Sequence, residues 1–156
     1  MTAIWALTAQ LCMIGLGYAA ALATGAAFAT AAILKLEPST LSSDWQSLTE
    51  AIIIWLSLAI TGLQATFTPA AVAIAVCEGL KLRDLLTYLI AALLVGLAAV
   101  FPFGAAMSGM AMPPLNRDAL ILTVASAAVG SFFYWLIAGR TAGRWMAYPW
   151  SDGHPR

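Results

Sequence analysis

Few side chains in this 156-residue chain can do chemistry, and their spacing decides which kinds stay open. The only histidine is His154, at the very end of the sequence, whereas haem held between helices needs axial ligands such as His inside them. Cys12 and Cys77 are too few for a structural zinc site and are expected to pack as ordinary buried thiols. Met107, Met110 and Met112 bring three thioethers close together, and soft sulfur selects Cu(I). No Cys or His stands near them to complete a copper site, and Met suits an irregular apolar loop equally well. There is no phosphate loop, no Ser-His-Asp set and no carboxylate pair within one apolar stretch. The expectation is a chain with no catalytic residue, no cofactor and no metal, and so not an enzyme.

The elements that must position these residues follow from composition. The chain is 62% hydrophobic and 9% charged, against about 45–50% and about 25% in an average soluble domain. A soluble globular enzyme, a disordered region and a nucleic-acid binder are all excluded, and no nucleic acid is expected as a partner. Seven basic and seven acidic residues cancel, so no bulk field steers anionic partners. Their placement leaves four charge-free stretches, 1–34, 51–77, 85–116 and 119–139. Each can hold the about 20 apolar residues that a membrane span needs. The predicted fold is all-α: a single membrane-embedded four-helix unit with transmembrane spans at about 4–34, 51–77, 85–103 and 119–139, and a tail over 140–156.

Local signals set the boundaries. A secretory signal peptide opens with basic residues, and none precedes the first apolar run, so despite the small-residue site Ala27-Phe28-Ala29 this stretch is expected to be kept as the first span. Pro38 stops it. Ser43 with Gln46 and Ser47 with Glu50 form two competing capping boxes, and the second is expected to start the next span, with 43–47 as a surface turn. Pro69 leaves the Ala65 carbonyl without its helical partner, and Thr66 and Thr68 are placed to solvate a kink in one long helix. Residues 78–84 read as a charged turn, Phe101-Pro102-Phe103-Gly104 as the close of the third span, and Asn116 as the N-cap of the fourth.

Lys81, Arg83, Arg140, Arg144 and Arg156 fall on one side of this topology, and Lys35 and Arg117 on the other. Excess Lys and Arg mark the cytoplasmic side, so both termini are expected there. Trp5, Trp135, Trp145, Tyr148 and Trp150 would anchor that interface and Trp45 the opposite one.

No ionisable residue is expected inside a span, which argues against ion or proton transport. The mid-span polar groups are Thr61, Gln64, Thr66, Thr68, Thr123 and Ser126, read as interhelical hydrogen-bonding groups or part of a substrate path. Gly17, Ala21, Gly25 and Ala29 recur every four residues and mark a helix-packing face. Ala92 with Gly96 and Ser126 with Gly130 give shorter rows. Arg140, Arg144 and Trp145, expected to continue the fourth helix, are contacts for a partner subunit or anionic phospholipid. The stretch 134–145 resembles tails of bacterial inner-membrane proteins, a likeness that assigns no activity. Together these features predict a non-catalytic accessory subunit of a larger bacterial inner-membrane complex, acting through helix packing and lipid contacts. The alternative is the small four-helix membrane subunit of a multi-component solute transporter.

Overall fold

The computed structural model describes residues 3–35, 45–100 and 117–143. The methionine trio, Arg144, Trp145, His154 and the caps Ser43 and Asn116 lie outside them. The described chain is all-helical: α1 (Ala3–Leu34), α2 (Trp45–Gly79), α3 (Leu85–Val100) and α4 (Arg117–Ile137), then a 3₁₀ turn, Gly139–Thr141. Three of the four, α1, α2 and α4, are long and apolar enough to cross a membrane. The described part of α3, 16 residues, covers about 24 Å of a hydrocarbon core of about 30 Å. Large apolar side chains such as Leu16, Ile60, Phe67 and Ile90 point outward. A helix apolar on every side belongs in a core or a membrane.

Two boundaries differ from the sequence reading. α2 is already helical at Trp45 and runs through Pro69 to Gly79, so Ser47 and Glu50 lie inside the helix and not at its start. At its other end Glu78 belongs to the last helical turn and is buried, where a solvated turn was expected. α4 stops at Ile137, and Arg140 sits in the 3₁₀ turn and does not continue the helix. The turn that follows needs its glycines. A Cβ at Gly139 would meet the Tyr88 ring at 2.9 Å, and Gly143 takes φ +69, a left-handed conformation that suits glycine. The chain therefore folds back beneath the bundle.

The helices run up and down as a ring, with α1 and α3 each packed between α2 and α4. The α1–α4 contact is the most extensive and the α2–α3 contact the least. Close approach on the α1–α4 side comes from glycine. A Cβ at Gly130 would stand 2.7 Å from the Ala21 carbonyl oxygen, and one at Gly25 3.1 Å from that of Ser126. Small residues at such crossings let two backbones gain dispersion contact that larger side chains would prevent. α2 is held to α1 in antiparallel register by side-chain bonds. The Trp55 indole donates to the Ala23 carbonyl at 2.9 Å, and the Tyr18 and Thr66 hydroxyls pair at 2.9 Å. The tightest packing, Cys77, Tyr88, Tyr134 and Ala138, lies at the end where α1 begins.

Candidate functional site

Two features occupy the interior: a polar clamp at the end where α1 begins, and an apolar cavity beyond it. The clamp is centred on Glu78, in the last turn of α2. An acidic side chain is disfavoured at a helix C-terminus, and burial makes an unpaired oxygen costly. Both oxygens are met. The Gln10 side-chain amide of α1 donates to Oε1 at 2.7 Å, and the Gly143 backbone N–H donates to Oε2 at 2.7 Å. Thr141 donates to the Gln10 Oε1 at 3.3 Å and to the Ala138 carbonyl at 3.0 Å. Arg83 Nε donates to the Ala142 carbonyl at 3.0 Å, and the Trp135 indole to the Arg83 carbonyl at 2.8 Å. This network joins α1, α2, the segment before α3 and the turn after α4. No fully enclosed side-chain nitrogen or oxygen among the described residues lacks a partner.

The cavity has a volume of about 410 Å³ and is lined by all four helices. Its walls are mostly Ala, Gly, Leu, Ile and Val, and its floor is Cys77, Tyr88 and Tyr134, which separate it from the clamp. The hydroxyls that reach its wall are largely turned back onto the protein. Thr66 donates to the Gly62 carbonyl at 2.7 Å, Thr123 to Ala119 at 2.8 Å, Ser126 to Leu122 at 2.7 Å and Ser131 to Ala128 at 2.9 Å. The Tyr88 hydroxyl donates to the Leu82 carbonyl at 3.3 Å. Tyr134 differs: its ring packs on Tyr88 at a centroid distance of 5.5 Å and the residue is 6% exposed, yet its hydroxyl has no partner among the described residues. Tyr134 also stands on the lining of the cavity.

The residues singled out from the sequence fall as follows. Gly17 lies against Ala138 and Tyr134, Gly25 against Ser126, and the Ala21 carbonyl against Gly130, so these members of the row face α4. Ala29 is buried on the cavity wall. Gly96 of the α3 row meets Thr123 and Ala127 of α4. Arg140 is exposed and stacks over the Trp135 ring at 5.6 Å, a cation–π contact. Trp135 itself is engaged by the Arg83 carbonyl as well as by Arg140. Thr66 serves Gly62 and Tyr18, and so does not solvate the Ala65 carbonyl. Gln64 is exposed and lines no part of the cavity. Cys12 faces outward, against the expectation of a buried thiol, while Cys77 is buried. Glu78, read from the sequence as the start of a charged turn, lies in the last turn of α2.

Gln10, Glu78, Thr141, Gly143 and Tyr134 were not singled out from the sequence. A lone Gln early in an apolar helix is a weak signal, but an amide and a carboxyl at opposite ends of two antiparallel helices are within reach of one another. Among the described residues no three His, Cys, Asp or Glu side chains gather as a metal site. No family model, curated protein or solved structure matches this chain.

Proposed function

We propose that the chain is a multi-pass protein of the bacterial inner membrane, with four spans and both ends in the cytoplasm, and that it acts as a non-catalytic accessory subunit of a larger membrane complex. The observation that carries this reading is α2. No residue in its most apolar 18-residue window is buried, although this is the longest helix of the bundle. Around it, most of the interior polar groups are engaged in holding the chain to itself, which leaves an outer apolar surface for neighbouring helices and lipid. In a bilayer apolar burial gives little drive between helices, so such contacts depend on close packing. Arg140, with Arg144 and Trp145 in the tail, faces anionic phospholipid head groups on the cytoplasmic side.

Photo-crosslinking in living cells tests the reading. A benzophenone amino acid at Ile60 or Phe67, both outward on α2, is expected to trap one defined membrane protein. Trapping only lipid at both positions would contradict the accessory role. Trapping the large subunit of a solute transporter would assign the complex to transport.

A further inference from the structure

We infer that the cavity between the four helices binds one long hydrocarbon chain carrying a neutral oxygen acceptor near one end, the chemistry of a lipid tail with its first carbonyl. This rests on the membrane part of the proposed function and is independent of the accessory role. Width is the first argument. Along α1 the wall runs from Tyr18 to Ile33, about 22 Å at the helical rise. A volume of about 410 Å³ along that length suits a slender chain better than a helix of about 10–12 Å diameter. The volume is also within the range of about 300–1,000 Å³ usual for small-ligand sites.

The chemistry of the wall is the second argument. Thr66, Thr123, Ser126 and Ser131 have their hydroxyls committed to backbone carbonyls of their own helices, so the upper cavity presents hydrocarbon to an occupant. A polar solute would lose its hydration and find few partners, at a cost of about 1–3 kcal/mol per unmet group. Besides Thr61, which is exposed on α2, the lining hydroxyl without a described partner is Tyr134, nearly buried at the floor. It can donate one hydrogen bond to a carbonyl oxygen. Access is the third argument. The Tyr88–Tyr134 floor and the Glu78 clamp close the end where α1 begins, whereas α2 and α3 touch least, so a chain enters sideways between them.

The test uses the full-length protein reconstituted in phosphatidylcholine vesicles with two photoreactive probes. One is phosphatidylethanolamine with a diazirine in its acyl chain, the other a benzoquinone with a diazirine-bearing isoprenoid tail. Mass spectrometry then locates the adducts. At least one probe is expected to label the wall residues Ala65 and Ala92, and which one does so identifies the source of the chain. Phenylalanine at either position (Ala65→Phe on α2, Ala92→Phe on α3) should abolish wall labelling and leave outward labelling at Phe67 unchanged. Tyr134→Phe keeps the ring and removes the hydroxyl. It should lower wall labelling by these probes about threefold to tenfold, the effect of one hydrogen bond, and leave labelling by a diazirine alkane unchanged. Wild-type labelling confined to outward residues would overturn the inference, as would wall labelling that survives both Phe substitutions. An unchanged response of Tyr134→Phe would overturn the acceptor assignment. Failure of the protein to float with the vesicles would overturn the membrane reading as well, and flotation is scored separately.

Discussion

Glu78 is the side chain on which most of the interior bonding converges. Its two oxygens receive Gln10 from α1 and the Gly143 amide from the turn after α4. Glu78→Ala would orphan both donors, each at about 1–3 kcal/mol, and should lower the thermal midpoint in detergent clearly. Glu78→Gln should cost much less, because the Gln10 amide can turn over to present its oxygen, with Thr141 then accepting from its nitrogen. Equal midpoints for the two variants would show that the clamp contributes nothing. The sequence hides this role for a physical reason. An acidic residue just past an apolar run reads as the first group in water, since the helix dipole and desolvation both disfavour it inside. What reverses that preference is a backbone N–H 65 positions later, supplied by a left-handed glycine that no local pattern announces. Tyr134 was equally silent, as aromatic residues near a helix end usually read as interfacial anchors.

Among the elements, the α1–α4 pair shows what spacing can and cannot convey. A four-residue recurrence of small residues says that one face of α1 is smooth, and it does not say which helix lies on that face. The glycines give a graded test. Gly130→Ala would drive a Cβ into the Ala21 backbone carbonyl at 2.7 Å, and Gly25→Ala would approach that of Ser126 at 3.1 Å, whereas Gly15 has nothing within 4 Å. Overpacking of this kind costs about 1–3 kcal/mol, so Gly130→Ala should be the most destabilising and Gly25→Ala intermediate. Gly15→Ala should be neutral or stabilising by up to about 1 kcal/mol through helix propensity. Unfolding midpoints of the three variants check the order, and an inverted order would contradict the described crossing. The existence of four helices was legible because charges punctuate long apolar runs. The ends were less so: α2 starts earlier than its second capping box, and α4 stops at Ile137 and gives way to a 3₁₀ turn at Gly139, where a Cβ would crowd the Tyr88 ring.

For the whole molecule, composition alone indicates helices that are apolar all round, and the ring arrangement, the cavity and the clamp come from pairings across the chain that composition cannot encode. The proposed topology has its own test. A reporter active only outside the cytoplasm should be silent when fused after Arg156 and active when inserted at Ser42, and strong activity at Arg156 would reverse the orientation. The central claim is that this bundle turns most of its interior polar groups onto itself and presents its longest helix to another protein. Mass measurement of the tagged chain, released from its native membrane in mild detergent, tests that claim most directly. The account predicts a particle well above the 16.3 kDa of one chain, containing a second membrane protein in fixed ratio. A particle holding only this chain and lipid, under conditions that keep other membrane complexes whole, would contradict it.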